Sequence, residues 1–262
     1  MEVDTKGVAV YGVGEFLDRL HMTREKAGTI EIYKASPPYG KLGEVRVDGL
    51  KDPWDMTVCR TSRCIYVTDL GSRRVWRVDA DGGDVILWME DLVARTMSVT
   101  STGRVLILSH RLDVYRSDGR RAATITLPAD MDVPQHAIET PTGTFVVSHG
   151  WMGGRLHRVC EVTADGRALR VFGGAPRFGP EQMNGVYHMA TDAGRGWYFV
   201  ADSYNHRVLL LDAKLQLLRV LLTKDEEGLN RPQRLSYSSV SGRLMVATTT
   251  GKMHVFLVHV NE

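Results

Sequence analysis

One phrase recurs along the chain and governs what the chain can become. Ile65-Tyr66-Val67-Thr68-Asp69-Leu70-Gly71-Ser72-Arg73-Arg74-Val75 returns as Tyr198-Phe199-Val200-Ala201-Asp202-Ser203-Tyr204-Asn205-His206-Arg207-Val208. Worn copies follow one another about every forty residues, a period that means one supersecondary unit copied around or along an axis.

Each copy has the same order of parts: a polar or Pro start, an apolar strand, a turn, a strand rich in Val and aromatics, a turn, a third strand, and often Asp-Gly before a fourth. One copy runs Pro53 to Val58, Ile65 to Asp69, Val75 to Asp79 and Val85 to Trp88. The next three open at Thr96, Gln135 and Val186, and a fifth opens at Gln233 with three strands, the last being Met253 to Leu257. Four short strands per unit, with Asp-Gly, Thr-Gly and Ser-Gly at the turns, predict propeller blades. Val8 to Gly12, Phe16 to Met22, Gly28 to Tyr33 and Glu44 to Val47 read as a sixth, degenerate blade, although 15–26 would also accommodate a short helix. The expected fold is all-β, a six-bladed β-propeller of four-stranded antiparallel blades; five blades plus an N-terminal appendage is the alternative. The last blade lacks a fourth strand, and a ring must hide its edges, so N-terminal residues are expected to lend it one. Residues 1–262 then form a single domain.

With 43% hydrophobic residues the chain can bury a sizeable core, and no apolar segment reaches the length of a membrane span. The start Met1-Glu2-Val3-Asp4 is not a signal peptide, which favours a cytoplasmic protein. Cys59, Cys64 and Cys160 are an odd number of thiols without the paired spacing of a zinc site, and are read as buried and reduced. A net charge of +2 carries little information about partners, but Arg outnumbers Lys, which suits bidentate and stacking contacts.

The segments Asp69 to Val75 and, more closely, Ala201 to Val208 resemble the NHL repeat, and Pro53-Trp54-Asp55-Met56 and Pro134-Gln135-His136-Ala137-Ile138 resemble its opening. The resemblance spans about Leu50 to Leu257 and extends to the NHL propellers at the C-terminal ends of animal tripartite-motif (TRIM) proteins. No RING, B-box or coiled coil accompanies it, so ligase activity is not implied. The resemblance implies a propeller that binds RNA or protein on one open face. Related propellers are lyases with a zinc held by axial histidines, or lactonase-type hydrolases with a channel metal.

Aligning the first strands puts Asp55, Thr96, His136, His188 and Arg234 at one position, a ring around the channel. His136, His188 and Asp55 could hold a zinc ion with an open position for water, although Arg234 would repel it. A hydrated polar channel without a cofactor is the preferred reading. The connections between second and third strands should display Arg73, Arg74, His110, Arg111, His149, Trp151, Arg155, Tyr204, His206 and Lys252 on one face. Aromatics among Arg and His suit single-stranded or stem-loop RNA, whose bases stack on rings, and suit protein hot spots equally. Asp202, Asn205, His206 and Arg207 belong to the repeated phrase and are read as scaffold. The expectation is a non-enzymatic, monomeric binding scaffold for RNA or protein, acting on neither DNA nor membrane. The alternative is a metal-dependent lyase or lactonase-type hydrolase.

Overall fold

The structure, a computed structural model, describes residues 7–131, 133–151, 154–177, 179 and 181–258, together with the backbone of 2–4. Its strands run in chain order. β1 (Glu2–Asp4) comes first, followed by the first blade, β2 (Val10–Phe16), β3 (Arg19–Arg24), β4 (Thr29–Lys34) and β5 (Lys41–Arg46). The second blade is β6 (Pro53–Cys59), β7 (Cys64–Asp69), β8 (Arg74–Asp79) and β9 (Val85–Met89), and the third is β10 (Thr96–Val99), β11 (Val105–Leu108), β12 (Leu112–Tyr115) and β13 (Arg121–Ile125). The fourth is β14 (Pro134–Glu139), β15 (Phe145–His149), β16 (His157–Val162) and β17 (Ala168–Gly174). The fifth is β18 (Val186–Asp192), β19 (Trp197–Asp202), β20 (Arg207–Leu211) and β21 (Leu217–Leu222), and the sixth holds β22 (Pro232–Ser238), β23 (Arg243–Thr248) and β24 (Lys252–Leu257).

These strands form six four-stranded antiparallel sheets, and the last has the order β1-β24-β23-β22. Its outer strand therefore comes from the chain's beginning, with Glu2, Val3 and Asp4 opposite His254, Met253 and Lys252. The innermost strands β2, β6, β10, β14, β18 and β22 touch one another in turn and close the ring. The protein is a six-bladed β-propeller, with six blades rather than five plus an appendage. Because strands alternate direction, second-to-third connections and inter-blade connections share one face, called here the loop face. First-to-second turns lie on the opposite face.

The Asp-Gly pairs act as read. Gly119 and Gly166 adopt left-handed φ of 83° and 90°, and their amides close turns onto the carbonyls of Arg116 and Thr163 at 3.0 Å. The first blade hides the same geometry in other residues: the turn after β2 uses Leu17 and Asp18, at φ 49° and 55°. With no glycine to mark it, the turn is invisible to composition, which is why a helix over 15–26 could not be dismissed beforehand.

Apolar layers fill the spaces between blades. Leu20 and Met22 of the first blade meet Met245 and Val255 of the sixth across the closing seam. Phe16 and Ile30 meet Met56, Ile65 and Trp76 of the second. Near the axis the blades converge, and there Gly12 and Gly14 sit inside β2 rather than at a strand end. A Cβ at Gly12 would lie 2.4 Å from the Met56 Cβ, and one at Gly14 would lie 2.6 Å from Val58 Cγ2. The first contact requires β6 to move, and the second requires the Val58 side chain to turn. Gly12→Ala is therefore expected to lower unfolding free energy by about 1–3 kcal/mol through overpacking. Gly43→Ala on β5, where a Cβ meets nothing within 4 Å, should leave urea midpoints nearly unchanged. Equal midpoints for the two variants would contradict this packing.

Candidate functional site

Each innermost strand enters from the loop face, and in five blades it does so through a register slip. The slips fall between Val10 and Gly12, Pro53 and Asp55, Pro134 and His136, Val186 and Met189, and Pro232 and Arg234. A bulge of this kind re-aims a side chain. The bulged positions include Tyr11, Trp54 and Tyr187, and the residue after each bulge begins the ring around the axis. Gly12 is the sixth ring position, absent from the sequence alignment because its blade is degenerate.

Four of the five aligned ring residues meet. Arg234 is 2% exposed, and its Nε, Nη2 and Nη1 donate to the carbonyls of Tyr11 (3.0 Å), Trp54 (2.7 Å) and Gln233 (3.1 Å). Its guanidinium carbon lies 5.8 Å from the centroids of Tyr11 and Trp54, which stack on each other at 4.8 Å. Arg234 Nε is also 3.3 Å from Asp55 Oδ1, while Asp55 Oδ2 accepts from the Met97 amide at 2.7 Å. His188 Nε2 stands 3.5 Å from the same Oδ1, and the His136 and His188 rings lie 3.7 Å apart. One ligand atom from each of Asp55, His136 and His188 falls within 4.8 Å of the others. Thr96 does not join them; its hydroxyl donates to the Gln135 carbonyl at 2.6 Å and ties the third blade to the fourth.

Burial lowers the pKa of His136 well below 6.5, helped by His188 and Arg234. Burial also lowers that of His188, with Asp55 pulling the other way, and lowers that of Arg234. Both imidazoles are thus neutral at pH 7.

Below this centre, on the side away from the loop face, a cavity of about 400 Å³ runs along the axis. His136 and His188 line it together with Met56, Met97 and Met189, and Glu15, Arg60 and Pro141 mark its rim at the first-to-second turns. The methionines are buried and also wall this cavity. Arg234, Tyr11 and Trp54 are not in its lining. Arg234, buried and bonded to carbonyls of three blades, lies on the loop-face side of the cavity.

The loop face itself carries a second constellation. Trp151 packs on Tyr187 at 4.6 Å, the Tyr187 and Tyr204 rings lie 6.2 Å apart with their hydroxyls at 3.3 Å, and Arg231 lies over Tyr204 at 5.4 Å. Trp151 and Tyr204 are half-buried and Arg231 is exposed. Trp151 was expected on an exposed loop; it is half-buried and leans on Tyr187, a partner that the bulge in β18 makes available. Arg231 was not singled out because nothing in its local sequence sets it apart.

The other expected face residues separate. Arg73, His110, Arg111, Arg155 and Lys252 are exposed, and Arg74 and His206 are half-buried. Arg111 pairs with Asp113 at 2.7 Å, and Arg73 donates to the Asp91 carbonyl at 3.3 Å. His149 differs from expectation: it is fully buried at the end of β15, where its Nε2 accepts from Arg158 Nε at 3.1 Å and lies 3.6 Å from Cys160 Sγ. It occupies the position of Asp69 and Asp202 in their blades, so strand alternation turns it inward. Met152 and Gly153 of the same loop lie outside the described residues. Asp202, as expected of scaffold, accepts from the Asn184 amide, Asn205 and Arg207 at 2.7–2.8 Å.

No family model and no curated protein matches the sequence. Solved structures do resemble the fold. A chain of a nidogen/laminin complex superposes with TM-score 0.68 at 13% identity over 88% of this chain and 85% of that one. A structural genomics protein of unknown function from Bacteroides thetaiotaomicron gives 0.70 at 14% over 98% and 72%, and virginiamycin B lyase from Staphylococcus aureus gives 0.62 at 9% over 100% and 89%. At such identities the likeness speaks for the propeller fold alone, which hosts binding proteins and enzymes alike.

The neutral histidines make the fold sensitive to acid. A histidine whose folded pKa is depressed stabilises the fold above its unfolded pKa of about 6.5, and that contribution is lost as pH falls. His21, 1% exposed, is lowered by burial to about 4, so its window runs from about 6.5 down to 4, and His136 and His188 add to it. Unfolding free energy should drop below pH 6.5 by up to about 1.4 kcal/mol per pH unit from His21, with His136 and His188 acting in the same direction. Urea midpoints that stay flat between pH 6.5 and 5 would contradict the neutral, buried assignment.

Proposed function

We propose that the protein is a non-enzymatic, NHL-type binding scaffold that receives a protein partner on its loop face, centred on Trp151, Tyr204 and Arg231. The observation that carries this reading is the joined cluster of Trp151, Tyr187, Tyr204 and Arg231 on that face. Half-buried aromatics backed by packed neighbours, with an exposed Arg beside them, are what hot spots at protein interfaces are made of. The superposition on a nidogen/laminin complex chain supports a protein partner, since propellers commonly serve protein interactions.

RNA is less well served by the same face. Several of its arginines are engaged by the scaffold: Arg111 with Asp113, Arg158 with Asp130, Arg207 with Asp202. A phosphate backbone needs a run of uncommitted cations, and bases need open ring faces rather than rings packed against each other. Under this reading the protein acts as a monomer in the cytoplasm, a reducing compartment in keeping with free, buried Cys59, Cys64 and Cys160.

The test uses the whole chain as bait with Trp151→Ala and Tyr204→Ala beside it. A partner captured after RNase treatment, then purified, should bind the wild type and lose about thirtyfold in affinity, ~2 kcal/mol, with either variant. A randomised RNA pool that shifts at low salt and is released as salt rises would replace the protein partner by RNA. A purified partner that binds both variants as tightly as wild type would overturn the assignment of the face.

A further inference from the structure

The axial centre has the makeup of a metal site. A carboxylate and two imidazoles arrive from three blades, and Asp55 Oδ1, His136 Nδ1 and His188 Nε2 are all buried without a hydrogen-bond partner. Two histidines, one carboxylate and room for a further ligand is a common zinc arrangement. The details of these same residues disagree with it in three ways.

The oxygen a metal would take is already opposite a fixed cation, with Arg234 Nε 3.3 Å from Asp55 Oδ1. A divalent ion would add two positive charges beside a buried guanidinium that, among the described residues, has this one carboxylate as its anion. The tautomer of His188 is also unsuitable. Its Nδ1 accepts the Leu235 amide hydrogen at 3.3 Å, so in the neutral ring Nε2 keeps the proton and offers no lone pair. Metal-bound histidines instead donate from their second nitrogen. His136 meets that requirement, since Met97 O, 3.2 Å from its Nε2, can only accept. Finally, the two rings lie 3.7 Å apart at an interplanar angle of 32°. Rings whose centroids are this close do not direct their in-plane lone pairs at one metal with the wide angle a tetrahedral site requires.

The guanidinium, by contrast, fits in every respect. Its planar fork is met by three carbonyls from three different blades, those of Tyr11, Trp54 and Gln233, at 2.7–3.1 Å. Its charge is met by Asp55, and its flank by the Tyr11 and Trp54 rings. No point charge uses that geometry as well, because the acceptors lie around a plane rather than around a sphere.

We propose that Arg234 is the resident cation of this centre, occupying the electrostatic role of a metal, and that the pocket around its head group is a specific guanidinium-binding site. The native protein then binds no divalent transition metal at Asp55, His136 and His188, and chemistry in the neighbouring cavity does not run through one.

Arg234→Ala vacates the pocket while leaving its carbonyls, rings and carboxylate in place. Its melting temperature should fall, and millimolar methylguanidinium, but not methylammonium, should restore about half of the loss or more once its concentration exceeds its dissociation constant. If the variant does not fold unaided, its refolding yield with and without methylguanidinium is read in the same way. Failure of methylguanidinium to raise either quantity overturns the proposal. A second arm needs no variant of Arg234: wild-type protein titrated with Co²⁺ should develop no visible d–d absorption. A tetrahedral Co²⁺ spectrum that His136→Ala or His188→Ala abolishes would overturn it equally.

Discussion

The buried pair of Arg234 and Asp55 is the interaction on which the centre of the molecule depends. Neither charge survives alone at this depth, because removing one partner from a buried ion pair leaves the other unpaired at a cost of about 3–5 kcal/mol. What makes the pair tolerable is the satisfaction of the remaining donors by the carbonyls of Tyr11, Trp54 and Gln233. Those acceptors belong to the first, second and sixth blades. Arg234 thus joins the end of the chain to its beginning at the axis, while β1 joins them at the rim by pairing with β24. The seam every closed propeller must make is fastened at both its inner and its outer radius.

Around this seam the repeat divides residues into two kinds. The Asp at the end of a second strand is joinery: Asp69 accepts from the amides of Lys51 and Asp52, as Asp202 does from that of Asn184, so each ties the preceding inter-blade connection to its own blade. Where the fourth blade puts His149 in that place, the carboxylate is gone and the imidazole turns to Arg158 and Cys160 instead. The following connection is the long one that carries Trp151 to Tyr187. The loss of a scaffold residue and the appearance of a surface feature fall in the same blade.

Much of this was legible in the residues, and the omissions have physical reasons. Periodicity and turn chemistry identify six blades because strand alternation and left-handed turns are local properties. The ring of Asp55, Thr96, His136, His188 and Arg234 was legible too, since equivalent positions in a repeat converge on one axis. What alignment could not supply is distance. It treats Thr96 as equal to the rest, although Thr96 bonds sideways to Gln135 while the other four meet. Nor does it show on which side of the Arg234 centre the cavity lies, because that depends on how far Arg234 reaches across the axis. From sequence alone the first strand ends at Gly12 and Gly14 falls between strands; both lie inside β2 and answer a crowding between β2 and β6 that only the closed ring creates. His149 was misplaced for a related reason: loop composition suggested exposure, whereas its place as the last residue of a strand fixed its direction.

The six ring positions, Gly12, Asp55, Thr96, His136, His188 and Arg234, show why a symmetrical scaffold yields an asymmetrical centre. A sixfold ring of one charged residue would place like charges around a narrow, poorly solvated axis, and repulsion and desolvation would both oppose folding. The sequence resolves this by giving the axis one cation and one anion, two neutral imidazoles that stack on each other, a hydroxyl that bonds to the next blade, and a glycine where β2 crowds against Met56. The outcome is a centre with no net charge, set between the aromatic loop face and the cavity behind it. A partner on the one face and the contents of the other therefore meet different chemistry, and a change at either need not disturb its counterpart so long as the Arg234 centre stands between them.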